Sequence, residues 1–307
     1  MARAYGANAS LLAAFEPTYG NTPTGDFGKI PFVSTTLGSE QGLIANDLIG
    51  LGRDPSAPIR DVIKVEGDIV IPIDLRNIGM WLKALLGNPV SVGDTAHTHT
   101  FVSGNSGLPS LSLETGLPDI PAYFLASGVM ANSLQVKFAR SGAADATLGL
   151  IAQGEVKRTA SADVTPTTLP ITRFNQFQGS IKKNGQALGN VVAAQLTYSN
   201  NLARIETIRS DGKIEGADPT VASLTGNLEV RFADTELIDA ATNNTPLELT
   251  FSYVVDATKS LTFIAHEVYL PKPNPLATHV CRMVDVFDQI FNRLQIFSIF
   301  PRLVFKC

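Results

Sequence analysis

Short segments in which apolar and polar residues alternate, separated by Gly, Asn, Asp and Pro, fill most of this 307-residue chain. Alternation with a period of two places the apolar residues on one face of an extended strand. Clear examples are residues 65–71, 134–138 and 247–251. The 25 glycines and 18 prolines supply residues that favour turns between such strands. We therefore predict a mainly β protein.

Helix signals are confined to two segments. The first runs from Asp74 to Leu86, where Asp74 can cap the first turn and Gly87 follows the last. The second runs from Asp234 to Ala241, again with an aspartate at its start. We predict one or two short helices that flank the strands.

The two predicted helices follow similar segments. Residues 65–70 and 224–230 each contain a hydrophobe, a polar residue, Gly, then Asp or Asn, and continue as a strand. This likeness predicts an internal strand–helix duplication, with quasi-repeats at about 31–155 and 171–275. Chance similarity between short strands is the other explanation, since strand patterns are degenerate.

Changes in composition divide the chain further. Residues 1–30 are rich in Gly, Ala, Pro and Thr with isolated hydrophobes, which predicts an irregular N-terminal arm. Residues 31–275 carry the β pattern. Within them, 159–170 is rich in Thr, Ser, Ala and Pro, which predicts an exposed loop. Residues 276–307 form an atypical C-terminal tail.

Charge and hydropathy argue against several classes of protein. The net charge is −4 and no run of Lys or Arg exceeds a pair, whereas tight nucleic-acid binding needs a basic stripe. No apolar run approaches the about 18 residues that span a membrane, and residues 11–15 are too short for a secretory signal. Both cysteines, Cys281 and Cys307, lie near the end of the chain, which favours folding in a reducing cytoplasm. Charged residues make up only 17% of the chain, as suits a β protein partly covered by partners.

Motifs for catalysis or cofactor binding are absent from the sequence. It contains no phosphate-binding or dinucleotide-binding glycine motif and no Gly-x-Ser-x-Gly nucleophile motif. His266-Glu267 lacks the second histidine of a zinc protease motif, because position 270 is Leu. We predict that the chain is no enzyme, and we name no catalytic, cofactor-binding or metal-ligating residue.

One histidine pair is the strongest candidate for a metal site. His97 and His99 would share one face of a strand and could bind a metal if a third ligand lay nearby. Asp94 is the nearest carboxylate in sequence. A structural strand end with two histidines is the favoured interpretation, and the sequence leaves a metal role open.

Residues 52–86 read GRDPSAPIRDVIKVEGDIVIPIDLRNIGMWLKALL, an Arg-Asp-Pro turn followed by a Val-Glu-Gly-Asp strand and a helix. This segment resembles the major tail tube protein family of long-tailed, siphovirus-like phages. Residues 97–101, 108–114, 226–232 and 263–275 are similar to later strands of that family.

The resemblance implies a β-barrel or sandwich of the tail-tube type. It implies a structural protein of the virion tail that polymerises as stacked, hexameric rings and forms the conduit for DNA ejection. Implied partners are other copies of the chain, the tape-measure protein and other tail components, with DNA passing through the lumen without specific binding. No membrane and no cofactor are implied, and assembly takes place in the bacterial host cytoplasm. Segments 1–30 and 159–170 are the predicted inter-ring contacts.

Two other functions stay open on the sequence. One is a different ring component of a virion or of a secretion tube, which would form rings that do not stack. The other is a β-sandwich module that binds or hydrolyses glycans, which would need an acidic or aromatic cleft.

The tail departs from the family pattern. Residues 281–307 carry five of the sixteen phenylalanines, both cysteines and no glycine. Val284, Phe287, Phe291 and Leu294 fit a helical stripe, which predicts a helix. Two explanations are open: an extra helix that docks on a neighbour, or a shifted reading frame that replaced the native end.

Overall fold

The structure, a computed structural model, describes residues 3–46, 48–49, 52–94, 97–231, 234–272, 282–287 and 294–300. Strands dominate this part of the chain, which confirms the prediction of a mainly β protein. The strands of the first half are β1 (Ser10–Phe15), β2 (Gly28–Lys29), β3 (Ser34–Thr35), β4 (Gly38–Asn46), β5 (Ser56–Pro72), β6 (Val90–Val92), β7 (His97–Val102), β8 (Leu111–Leu117), β9 (Ala122–Phe138), β10 (Asp145–Ala152) and β11 (Gly154–Arg158).

The second half continues with shorter strands. They are β12 (Thr167–Thr168), β13 (Gly179–Lys183), β14 (Gln186–Ala187), β15 (Val191–Ser199), β16 (Ala203–Ile205), β17 (Gly216–Asp218), β18 (Ser223–Arg231), β19 (Leu247–Asp256), β20 (Lys259–Val268), β21 (Arg282–Phe287) and β22 (Leu294–Phe300). Two α-helices are α1 (Ile78–Leu86) and α2 (Glu236–Thr242), and two 3₁₀ helices span Gly6–Asn8 and Gln176–Gln178.

The larger sheet has thirteen strands and is organised around β9. One path runs β12-β2-β1-β8-β9-β10-β5-β3, with β4 also on β5. Strand β11 pairs with the first half of β9, and β15 pairs with its second half and leads on to β18 and β21. All of these pairs are antiparallel except the parallel pair between β12 and β2.

The second sheet has seven strands in the order β14-β13-β19-β20-β22-β7-β6. It packs on the larger sheet through an aromatic cluster. The ring of Phe138 on β9 stacks on Tyr253 of β19 with centroids 4.9 Å apart, and Phe251 lies 5.2 Å away. In the described residues the sheets are open, so the sandwich rather than the closed barrel is the architecture found.

Both ends of the chain differ from the sequence predictions. Residues 10–15 are not an irregular arm: they form β1, which pairs with β8 and buries Leu11 to Ala14. The helix predicted in the tail is wrong for residues 282–287 and 294–300, which are strands β21 and β22. Backbone pairing with β18, β20 and β7 overrides the helical spacing of the apolar residues there. Phe291 and Cys307 lie outside the described residues.

Helix α1 lies across the core. Eight of its nine residues are buried, including Trp81 at 1% exposure. The predicted start at Asp74 is four residues early. Asp74 instead organises the preceding turn, because its carboxylate accepts the backbone N–H groups of Arg76 and Asn77 at 3.2 and 3.0 Å. Burial raises the pKa of Asp74, and these hydrogen bonds partly oppose the rise.

Helix α2 confirms the prediction of a second helix, and it begins two residues later than the predicted start at Asp234. The carboxylate of Asp234 accepts the backbone N–H of Glu236 at 3.0 Å. Strand β5 precedes α1 and strand β18 precedes α2, so the strand–helix order of both predicted repeats is present. One hydrophobic core contains residues from both halves. The duplication itself stays a prediction.

Asn200 fixes α1 to the larger sheet. This side chain is only 3% exposed, and its amide donates to the carbonyl of Leu85 at 2.8 Å and to that of Ala131 at 3.0 Å. Its oxygen accepts the hydroxyl of Tyr198 at 3.1 Å. Asn200 thus satisfies a carbonyl at the end of the helix and one on β9.

We expect Asn200→Ala to lower the free energy of unfolding by about 2–3 kcal/mol, because three buried polar groups lose their partner. Chemical denaturation of the purified protein measures this loss. Asn8→Ala is the control, since exposed Asn8 makes a surface hydrogen bond to Asp119. Equal stability of the two variants would contradict the role given to Asn200.

Candidate assembly surface

A long hairpin projects beyond the larger sheet. Strands β4 and β5 pair from Gly38–Glu66 to Asn46–Ser56, whereas β10 accompanies β5 only from Val65 to Pro72. Residues 38–46 and 56–64 therefore extend past the sheet as two strands, and nearly all of them are exposed. We call these two strand segments the projecting hairpin.

Apolar side chains cover both faces of the projecting hairpin. Leu43 lies on one face and is 68% exposed, and Val62, at a shift in the register between β4 and β5, is 53% exposed. Ile44 and Ile59, opposite each other on the second face, are 45% and 56% exposed. An isolated two-stranded hairpin is marginally stable in water, and a contiguous apolar surface marks a site of protein contact. The projecting hairpin has the properties of a surface that a partner covers.

The base of the hairpin is held by two contacts. The carboxylate of Glu155 on β11 accepts the backbone N–H of Ser39, and burial raises the pKa of this carboxyl. The N–H of Ile63 donates to the carbonyl of Gly212 at 3.0 Å, at the tip of the β16–β17 hairpin. The base is thus fixed to the body of the protein while the outer part projects.

Gly67 lets the chain enter this hairpin. Its φ is +155°, and a Cβ here would lie 2.5 Å from the carbonyl oxygen of Thr36, which is closer than any real contact. Thr36 in turn accepts the N–H of Asp68 through its side chain at 2.9 Å. The glycine of the Val-Glu-Gly-Asp motif is therefore required by the close approach of two backbones.

We expect Gly67→Ala to lower the free energy of unfolding by about 2 kcal/mol or more, because backbone must move to relieve the clash. Gly6→Ala is the matched control, since nothing lies within 4 Å of a Cβ at Gly6. Thermal unfolding followed by circular dichroism compares the two. A Gly67→Ala protein as stable as its control would show that this approach is relaxed in solution.

The predicted loop at 159–170 is largely exposed but anchored. Val164 at its tip is 85% exposed. Beneath it, fully buried Glu114 on β8 accepts the hydroxyl of Ser161 at 2.6 Å and the N–H of Ala162 at 2.7 Å. Strand β12 then pairs with β2. The loop is held against the sheet on both sides of its tip.

A second carboxylate joins the end of β1 to β8 and β9. Glu16 accepts the hydroxyls of Ser110 and Ser112 at 2.6 and 2.7 Å and the N–H groups of Gly20 and Gly128 at 2.7 and 2.8 Å. Each of its oxygens is therefore engaged in holding structure. Burial, followed by the charges of Glu16 and Asp218, raises the pKa of nearby Tyr19 to about 12.

His97 and His99 lie side by side on β7, as the sequence predicts for alternate residues of a strand. Their rings are 6.1 Å apart, and His99 is 5% exposed with Nδ1 2.6 Å from the hydroxyl of Ser91. Burial, and to a lesser degree His97, lowers the pKa of His99. Among the residues that the structure describes, no group of three or more His, Cys, Asp or Glu side chains is placed to hold a metal.

Cations on the surface are dispersed and several are neutralised. Ion pairs join Arg173 to Asp145, Lys183 to Glu236, Arg204 to Glu66, Arg209 to Asp211 and Lys259 to Asp256.

Among the helices that the structure describes, none is long and apolar enough to span a membrane.

The sequence predictions place assembly contacts in residues 1–30 and 159–170 and do not include the projecting hairpin, yet residues 10–15 lie inside the sheet. The available signal was the apolar run Leu43, Ile44, Leu48 and Ile49 beside a predicted turn. Apolar residues next to a turn, where solvent exposure is expected, indicate a contact surface.

A family model described as phage tail tube protein matches residues 6–279 of the chain. No curated protein sequence matches the chain. The family match ends at residue 279, so the shifted reading frame considered for residues 281–307 stays a hypothesis.

Proposed function

The chain belongs to the phage tail tube protein family, and we propose that it polymerises as stacked rings, six subunits to a ring, into the conduit for DNA ejection. Membership of this family supports a structural component of the virion tail and implies a non-enzymatic protein that assembles with copies of itself and with other tail components. The tape-measure protein as a partner and assembly in the host cytoplasm belong to the same proposal.

The projecting hairpin is the observation that carries the proposal. Its two faces expose apolar side chains that a monomer would leave in water. A subunit that repeats in a tube covers such surfaces with its neighbours, through contacts that close into a ring and contacts that propagate between rings. The tip of the anchored loop, near Val164, is a second contact that we propose for stacking.

We expect negative-stain electron microscopy of the purified protein to show rings and tubes. The double variant Leu43→Ser/Ile59→Ser should remain monomeric at the same protein concentration. The substitutions remove apolar area from the contact and not from the core, so circular dichroism and the melting temperature should stay unchanged. Ile171→Ser/Val221→Ser, at positions 57% and 86% exposed, is the matched control and should polymerise.

Two results would count against this assignment. The hairpin variant could polymerise as the wild type does, or the control could fail to the same degree. Either result would remove the special role of the projecting hairpin.

The proposed lumen lets DNA pass without holding it. Support comes from the net charge of −4 and from the pairing of surface cations with carboxylates. Binding that depends on counterion release needs a row of basic residues facing the phosphates.

We expect assembled protein to retain no duplex DNA at 0.15 M salt, about the physiological level. Fluorescence anisotropy of a labelled duplex measures this. Binding that weakens steeply as salt rises would instead indicate a basic lumen and would contradict the proposed passage without retention.

A further inference from the structure

A groove opens between the two sheets at the end of the larger sheet that is distant from the projecting hairpin. Strand β15 pairs with β9 only from Ala194 onward, so Val191–Ala193 run past the end of β9 and border an opening. Phe138 of the larger sheet and Ile181 of the second sheet line the groove, together with Leu188, which directly follows β14.

The rim of this groove presents an aromatic side chain. Phe177 is 74% exposed and lies on the 3₁₀ helix Gln176–Gln178. Around that turn the N–H of Asn175 donates to the side-chain oxygen of Gln178 at 3.0 Å, and the N–H of Gln178 donates to the carbonyl of Asn175 at 3.0 Å, which holds the turn in place. A rigidly held, exposed aromatic ring beside an apolar groove is typical of an anchor residue in a protein interface.

The charged residues that line the groove are both cations. They are Arg140 and Arg231, which are exposed, and no carboxylate lies among the lining residues that the structure describes. The groove therefore favours a partner that is apolar and carries a negative charge beside its apolar residues.

One face of the projecting hairpin has this composition. In β5 the residues Val65, Ile69 and Ile71 face the core. A register shift between Gln41 and Leu43 interrupts this alternation farther out, and beside it a Cβ at Gly42 would lie 3.6 Å from the Cβ of Asp61. Ile44 is two residues from Gly42 and lies opposite Ile59, so Ile44, Ile59 and the carboxylate of Asp61 share the face of the hairpin opposite to that of Val65.

The register shows that a hairpin cannot fill the groove of its own subunit. The hairpin leaves the sheet where Val65 pairs with Ala152. The groove lies near the other end of the same strands, where Ala146 pairs with Ile71 and Val136. Six residues of strand separate the two ends, which is about 20 Å. A groove and a projection at opposite ends of one sheet are suited to head-to-tail contact between copies.

We propose that the groove receives the projecting hairpin of a second copy of this chain, with Ile44 and Ile59 against Phe138 and Phe177 and with Asp61 facing Arg140 and Arg231. The inference rests on the proposed polymerisation and names the two surfaces that make its propagating contact.

Charge reversal tests this pairing. Asp61→Arg places positive charges on both sides of the contact, and Arg140→Asp/Arg231→Asp places negative charges on both sides. Each variant alone should therefore polymerise only at a protein concentration at least about tenfold higher than the wild type needs. Mixed in equal amounts, the two variants should form tubes again, because every contact in an alternating stack then joins opposite charges. Light scattering against concentration, with electron microscopy of the mixture, gives the readout.

Controls separate the contact from the fold. Arg158→Asp reverses an exposed charge on β11 outside the groove and should polymerise normally. Phe177→Ser should impair polymerisation while Val221→Ser does not. Unchanged circular dichroism and melting temperature exclude misfolding of the variants.

The outcomes distinguish this inference from the proposed function. If the wild type forms tubes and Arg140→Asp/Arg231→Asp forms them equally well, the groove is not the receiving surface, and the proposed function stands. If each variant fails and the mixture also fails, the pairing of these two surfaces is wrong. If the wild type forms neither rings nor tubes, both proposals fall.

Discussion

The structure depends on one strand whose two edges are both occupied along nearly its whole length. Strand β9 pairs on one edge with β8 and then β15, and on the other with β11 and then β10. The change of partners occurs at Gly128, whose φ is +64° and whose N–H is held by Glu16. Because buried backbone groups must be paired, the placement of β9 determines where the surrounding strands, helix α1 and the inter-sheet aromatic cluster can lie.

Local signals in the sequence predicted the elements that local interactions produce. Alternation predicted the strands at 65–71, 134–138 and 247–251, and an aspartate that can cap a first turn predicted both helices. The helix starts were placed early because Asp74 and Asp234 form turns ahead of the first helical residue. One residue of the family-like segment 52–86 has a physical explanation: Gly67 is required because β5 passes close to the backbone of Thr36 there.

The other elements depend on pairing between segments that are distant in the sequence, and such pairing is only weakly indicated by local sequence patterns. Strand β1 is apolar at consecutive positions, Leu11 to Ala14, because both of its faces are covered. Alternation is then lost, and the segment resembles an irregular arm. The projecting hairpin is the opposite case, since its strand pattern is present but its two faces meet solvent. Which surface of a strand is buried within the subunit, and which stays exposed, depends on how far the adjacent strand extends.

Strand β22 lies between β20 and β7, and this position has a consequence for the order of events during synthesis. Residues 97–102 leave the ribosome about 190 residues before residues 294–300. During that interval the edge of β7 that faces β22 has no partner from its own chain. Contacts so distant in sequence form slowly, and an unpaired edge can join a strand of another nascent chain. Completion of the second sheet is therefore a late step in folding, and the speed of translation sets how long that edge of β7 stays unpaired.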